Sequence, residues 1–321
     1  MISPNSFFTH PLSRHPGALA ITRILAAAIQ AVEPGTAVKN FIRREGDSLS
    51  INERKYYLGN IKRIRILGLG KACLAMTQHL ADLLPPHSTR GLLIPKWTPA
   101  QPPSRFDLQP GGHPVPNEHS LLAGQETFGL LQGLTEDDLL ICLISGGGSA
   151  LMTLPHAGVS LDDLRALTSS LLACGARVDE INTLRRHLDQ LKGGGLARFA
   201  SPARVVSLIL SDVVGNPLEA IASGPTAPDP STREDALAVL EKYGLLEKVP
   251  ASIVESLKTI PETPKPGDPL FERAQNIIVG AMRGRRNPLN GRREARGFIP
   301  SGWAMTGRAR RVRSRKDSVT S

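Results

Sequence analysis

Residues 139–149 read Leu139-Leu140-Ile141-Cys142-Leu143-Ile144-Ser145-Gly146-Gly147-Gly148-Ser149, and this stretch decides the fold. Six apolar residues in a row, without alternation, mark a strand covered on both faces, as in a parallel sheet. A serine and three glycines then break the run where a helix is expected to begin. A parallel strand needs a crossover to reach its neighbour, so the rest of the chain should alternate strands with helices.

Outward from this strand, it does. Arg63–Leu67 alternates like a strand and runs into Gly68-Leu69-Gly70-Lys71, then into a helical stretch through Leu84 that Pro85-Pro86 stops. Gly91–Pro95 reads as a short buried strand and Leu121–Leu131 as a helix. Two helices are expected near 161–173 and 179–191, a strand at 204–210, helices near 232–242 and 250–258, and a last strand at 276–280. Upstream, Ala18–Val32 carries Ala, Ile and Leu at helical spacing, and Pro34-Gly35 ends it. The fold class predicted is α/β: a doubly wound, mostly parallel, Rossmann-like sheet with helices on both faces. Residues 17–280 form that domain, behind a loose, proline-dotted leader over 1–16. No internal repeat of 20–50 residues is present.

Composition narrows the function. No apolar run reaches the roughly 18–20 residues that span a bilayer, and the N-terminus lacks the layout of a signal peptide. Cys73, Cys142 and Cys174 share no metal spacing and leave an odd count, which reads as reducing, cytoplasmic surroundings. Aromatic residues make up 4%, against base-stacking surfaces. The formal net charge is +10. Residues 281–321 hold eleven arginines and Lys316 against Glu294 and Asp317, a surplus that equals the charge of the whole chain. The body is therefore neutral and carries no footprint for nucleic acid or membrane. Residues 281–321 have neither helical nor strand periodicity and few aliphatic residues, and are expected to be disordered. Any contact with nucleic acid is non-specific and confined to this basic tail.

In doubly wound sheets, ligands bind beyond the carboxyl ends of the strands. Ser145-Gly146-Gly147-Gly148-Ser149 is either a nest of N–H groups for a phosphate or carboxylate, or a tight turn that needs φ > 0. Gly68-Leu69-Gly70-Lys71 brings a lysine to a strand end, where it meets a phosphate or simply sits on a helix's first turn. It is neither a Walker A loop nor a dinucleotide fingerprint, since position 73 is Cys. Ser211-Asp212 places a carboxylate to hold Mg²⁺ or accept a hydroxyl proton; alternatively it caps a turn. Along 179–191, Ile181, Leu184, Leu188 and Leu191 share a stripe that faces the core. Asn182, Arg185, Arg186 and Asp189 share the other side, before Lys192-Gly193-Gly194-Gly195. That polar side is a solvated face or a carboxylate and phosphate site. His187 falls outside it. His113, in Gly-His-Pro-Val-Pro, is a ligand or a hydrogen-bonded loop histidine.

Together these motifs resemble the type II glycerate kinases, the MOFRL-associated glycerate 2-kinase family. The matching pieces are Gly68–Ala72, Gly112–Pro116, Leu143–Leu151, Asn182–Arg186, Leu191–Ala197, Leu210–Gly215 and Ile221–Thr226, in order and at fitting spacing over roughly 18–280. The resemblance implies transfer of a phosphoryl group from ATP, with Mg²⁺, to D-glycerate, giving 2-phosphoglycerate. It implies a Rossmann-like N-terminal domain and a smaller C-terminal α/β domain, with the site in the cleft between them. Lys71, Arg185 and Asp212 are then expected in catalytic roles, with Asp212 also on Mg²⁺. ATP is expected on Gly68, Gly70, Ser145, Gly146, Gly147, Gly148, Ser149, Asn182, Lys192, Gly193 and Gly194.

The chain departs from the family pattern in places. Asn216 stands where an aspartate is common, Asp189 where a serine is usual, and Asn117 where an acidic residue follows His-Pro-Val-Pro. The pattern is lost after Ile277-Ile278-Val279-Gly280, and the Arg-rich remainder reads like an out-of-frame product. The expectation is a truncated or frameshifted glycerate kinase, impaired or inactive for want of the second domain. Two alternatives stand beside it: a non-catalytic anion-binding or nucleotide-binding remnant whose tail binds nucleic acid, and the hydroxypyruvate reductase label that some relatives carry. The oligomeric state is not legible.

Overall fold

The computed structural model describes residues 3–281 apart from 87 and 102. The basic stretch 282–321, and with it the expected disordered tail, lies outside the described residues. Within the expected leader, Pro4–Phe7 forms a 3-10 turn and α1 (His10–Ser13) a single turn, neither with a buried residue. Helix α2 (Ala18–Ala31) follows. Pro34 does more than end it: Pro34 opens a new helix, α3 (Pro34–Lys39), whose first amides at Gly35 and Thr36 bond to the Glu33 carboxylate at 2.9 and 2.6 Å. A proline at the first helical position loses nothing, because that N–H has no helical partner.

A feature that the strand–helix alternation does not predict comes next. Strands β1 (Ile42–Glu45), β2 (Ser48–Ile51) and β3 (Arg54–Tyr57) form an antiparallel meander. Ile42, Leu49, Ile51 and Tyr56 are its inward residues. The main sheet then begins with β4 (Arg63–Leu69), α4 (Cys73–Ala81), β5 (Thr89–Ile94) and the short β6 (Asp107–Leu108). Helix α5 (Glu118–Leu131) leads to β7 (Asp138–Ser145), the strand that opened the sequence reading. One helical turn, α6 (Gly148–Leu151), precedes α7 (Leu161–Ala173) and α8 (Val178–Leu188). Next come α9 (Gly195–Ala200), β8 (Arg204–Ser211), α10 (Arg233–Lys242), α11 (Ala251–Thr259) and β9 (Ala274–Ala281). Helix α8 stops at Leu188, three residues short of the expected end, because Asp189 is extended (φ −128°) and bridges to Pro155.

The six strands lie in the order β6-β5-β4-β7-β8-β9, all parallel. Every residue of β7 is buried, as a central strand covered on both faces requires. One face packs the meander, α3 and α4 over Ile64, Ile66, Ile141, Val206 and Leu208. The other packs α5, α6 and α9 over Leu67, Leu140, Cys142, Ile144 and Ile209. A separate helical cluster joins α7, α8, α10 and α11 through Leu167, Leu184, Leu188, Leu240 and Leu257.

The sheet order places the site. From β4 the chain winds one way to β5 and β6, then returns to β7 on β4's other side. The winding reverses between β4 and β7, and a crevice opens at their carboxyl ends. Leu69 pairs with Ile144, and Ser145 with Leu210, so β4, β7 and β8 end level. Gly70-Lys71, the glycine loop and Asp212 therefore emerge side by side.

Candidate active site at the strand ends

The crevice is stitched together by backbone. The Lys71 N–H donates to the Gly146 carbonyl at 3.0 Å, and the Ala72 N–H to Ser145 Oγ at 3.0 Å. Gly70, at φ +114°, lies so close to Ser145 that a Cβ would overlap it. Gly147 takes φ +90°, which only glycine adopts readily, so the tight-turn reading of the loop holds at that position. The neighbouring glycines are needed for space. A Cβ on Gly146 would overlap the Asp212 carboxylate, one on Gly148 would stand 2.8 Å from Ala222 and Leu69, and one on Gly68 2.6 Å from Leu93.

These contacts bring the charged groups to one spot. A Cβ built on Gly147 falls 3.1 Å from Lys71 Cε and 3.1 Å from the His113 ring. Asp212 sits against Gly146 on the other side of the loop. Lys71 and Asp212 are both exposed. Burial holds the His113 pKa below its ordinary value, and the positive charges of Lys71, Lys96 and Arg185 push it the same way. His113 thus stands in a cationic cluster with Lys71, Lys96 and Arg185 that disfavours its protonation.

Helix α8 divides its polar residues by task. Its polar side is not a solvated face: Asn182, Arg186 and Asp189 are buried. Arg186 is spent on the fold, with Nε 2.7 Å from Asp229 Oδ1 and Nη2 donating to Thr183 and Ser231. His187 is buried near Asp229 and Glu262, at 3.8 and 3.5 Å. Arg185 differs. Among the described residues it has neither a hydrogen bond nor an ion pair, and burial lowers its pKa. Lys71 likewise has no ion-pair partner among them. A desolvated guanidinium without a partner is costly unless an anion completes it.

The remaining expected residues are placed as follows. Lys192 is buried and ion-paired with Asp189, and also donates to the Met152 carbonyl at 3.1 Å. Asp189 accepts from Thr153 at 2.6 Å and from the Leu154 and Leu191 amides as well. The aspartate at this position thus neutralises Lys192 within the fold. The Gly193 and Gly194 amides donate to the Ser223 and Gly224 carbonyls at 2.9 and 2.8 Å, which leaves neither free for a ligand. Asn182 lies deeper, accepting from Ser223 Oγ at 3.3 Å, while Ser223 Oγ stands 2.7 Å from Ser149 Oγ. Asn117 caps α5, its Oδ1 accepting from the Ser120 amide at 3.1 Å.

Two features escaped the residue-by-residue reading. Ala222, Ser223 and Gly224 all take positive φ, at 51°, 61° and 60°. Two of the three are not glycine, a conformation that costs on the order of 1–3 kcal/mol per residue and gathers at functional sites. The signal was the Ser-Gly-Pro-Thr turn, but no spacing rule announces strain at Ala222. The second is the pocket between α7 and α8, lined by Leu167, Leu171 and Leu184 together with Ser149, Arg185 and Lys192.

Asp212 is a single carboxylate, and no group of three or more potential ligands gathers among the described residues. That donor set fits a Mg²⁺ ion carried mostly by phosphate oxygens and not one caged by protein. The buried Cys73 and Cys142 thiols are pushed up to about 12 and are inert. No helix among the described residues is long and apolar enough to cross a membrane.

Comparison with known proteins gives the family. Residues 20–258 match the family described as a domain of unknown function, DUF4147. A glycerate 2-kinase of Pyrococcus horikoshii is 40% identical over 231 residues, 72% of this chain and 51% of that one. A putative hydroxypyruvate reductase of Agrobacterium vitis is 40% identical over 248 residues, 77% of this chain and 53% of its own length. The crystal structure of a glycerate kinase from Thermotoga maritima superposes with a TM-score of 0.68 at 37% identity, covering 80% of this chain and 57% of that one. The chain spans about half the length of the curated relatives it matches. By the match over residues 20–258 and by these relatives, the chain belongs to the glycerate 2-kinase family.

Proposed function

We propose that this crevice binds ATP with Mg²⁺ and D-glycerate, and serves phosphoryl transfer to the C2 hydroxyl, giving 2-phosphoglycerate. The observation that carries the reading is the pair of cations without ion-pair partners among the described residues, Lys71 and Arg185, gathered with the Asp212 carboxylate around His113, whose protonation they disfavour. Phosphoryl transfer asks little covalent chemistry of a protein. It asks for positioning and for neutralisation of charge on the transferred group. Lys71, a compact ammonium at the open end of β4, suits the phosphates. Arg185, with a planar fork, suits the carboxylate of the acid. Asp212 stands where it can accept the proton of the attacking hydroxyl or hold the nucleotide's Mg²⁺, which supplies charge neutralisation when bound. His113, with its pKa held below the ordinary value, can donate or accept a hydrogen bond as the neutral ring.

The reductase name of one relative finds less support. The strand–turn–helix at Gly68–Gly70 puts buried Cys73 where a dinucleotide fingerprint has its third glycine.

Titration calorimetry on the 321-residue chain tests the site, and binding is the direct measure for a chain that matches about half the length of its relatives. D-glycerate and MgATP should bind, and Arg185→Ala should weaken D-glycerate about tenfold or more, the scale of a lost charge-assisted bond. Its melting temperature should hold. Arg186→Ala should instead destabilise the fold, by about 3–5 kcal/mol for a broken buried pair. Failure of either ligand to bind the folded chain would sink the reading. Phosphorus NMR of the products then separates 2-phosphoglycerate from 3-phosphoglycerate.

A further inference from the structure

A second concentration of positive charge lies at the other end of the sheet. An open groove of about 340 Å³ is lined by Arg54, Lys55, Tyr56, Arg204, Glu272 and Arg273. They come from three separate segments: β3, the first residue of β8, and the 3-10 turn Pro269–Arg273 that leads into β9. Four cations face one carboxylate. Among the described residues, Arg54, Lys55 and Arg204 have no ion-pair partner. Arg273 donates to the Glu136 carbonyl at 3.0 Å, but its Nε–H is buried without an acceptor. Buried Tyr56 donates its hydroxyl to Gln275 Oε1 at 3.3 Å. Burial raises the Tyr56 pKa, while Arg54 and Arg204 pull it down, which puts both guanidinium groups within electrostatic reach of one point.

The location separates this groove from the crevice. Arg204 begins β8 and Ser211 ends it, so the groove and Asp212 stand about 25 Å apart along one strand. Nothing in the phosphoryl-transfer reading uses these residues. Crowding four cations around a groove with little counter-charge raises the energy of the empty state, and a bound anion relieves it. A volume of this size suits a small molecule. Guanidinium groups from different elements suit the several oxygens of phosphate.

We propose that this groove is a second anion site, taking a small, multiply charged phosphate ester or polyphosphate, independent of the crevice at the strand ends. The probe is inorganic tripolyphosphate, titrated into the isotope-labelled 321-residue chain at constant ionic strength and followed by amide NMR. Saturable shifts are expected at 54–56, 204 and 273, separate from those at 71 and 146–148. The pair Arg54→Ser and Arg204→Ser should weaken the groove shifts about tenfold or more, the scale of two lost charge-assisted contacts. Lys71→Ala should leave them unchanged. Both groove positions are exposed, so the fold should survive; if the pair fails to fold, Arg204→Gln alone gives the same reading at smaller size. Groove shifts that persist undiminished in the substituted chain overturn the proposal, as does matching them with chloride at equal ionic strength. If D-glycerate fails to bind while these shifts appear, the crevice reading falls and this one stands.

Discussion

Lys71 and His113 show how single residues make this site. Both lie against Gly147, whose missing side chain leaves room for them, and the positive φ there explains why the loop cannot carry another residue. The charge of Lys71 is one of the causes that hold the His113 pKa down, after burial. Removing that charge removes a repulsion, so in Lys71→Ala the His113 pKa should rise toward its ordinary value. Following the ring protons of His113 through a pH titration by NMR checks this. An unchanged midpoint would mean that the lysine points away from the crevice. At this scale the sequence told part of the story. Lys71, Asp212 and the glycine loop could be named because they follow strands. The separate tasks of Arg185 and Arg186 could not, because adjacent helical positions carry no mark of which one meets Asp229. Nor could the capture of Lys192 by Asp189, which depends on a chain reversal after α8.

The elements were legible where burial is symmetric or periodic. Strand β7 could be read from six apolar residues, and α7 and α10 were expected near 161–173 and 232–242; in the structure Ser160 and Thr232 cap them. The meander β1–β3 was missed because its strands are only four residues long and its arginine-rich outer face hides the alternation of Leu49, Ile51 and Tyr56. One ion pair fixes the start of the central strands. Asp138, fully buried at its side chain, takes two bonds from Arg63 at 2.9 and 2.6 Å and two from Thr135. Burial alone would raise its pKa, but Arg63 and the Thr135 amide and hydroxyl more than offset this and hold it at about 2. The pair therefore contributes its full stabilisation above pH 3.8 and loses it as pH falls toward 2. At neutral pH, Asp138→Asn should cost about 1–3 kcal/mol. The two proteins should converge in stability as the pH drops through that window. Denaturant melts at pH 7, 4 and 2.5 measure it, and a constant difference across them would show that the charge is not what matters.

At the scale of the whole molecule, sheet order turns scattered motifs into one place. Reversal of winding between β4 and β7 puts Lys71, the glycine loop and Asp212 on one edge, although 74 residues separate Lys71 from Ser145 in sequence. Parallel strands and crossovers could be inferred from the alternation of elements. The strand order could not, since the same alternation suits several orders, and the helical cluster of α7, α8, α10 and α11 is an assembly that only the structure displays. The central claim is that ligands enter at the strand carboxyl ends and reach across from β4 to α8. Hydrogen–deuterium exchange of the 321-residue chain, with and without MgATP and D-glycerate, tests it most directly. Protection is predicted at 69–73, 111–116, 145–151 and 211–216, with smaller effects along 182–188 and none over the meander. Saturating ligand that leaves those segments unprotected, or protects the opposite ends of the same strands instead, would contradict the account.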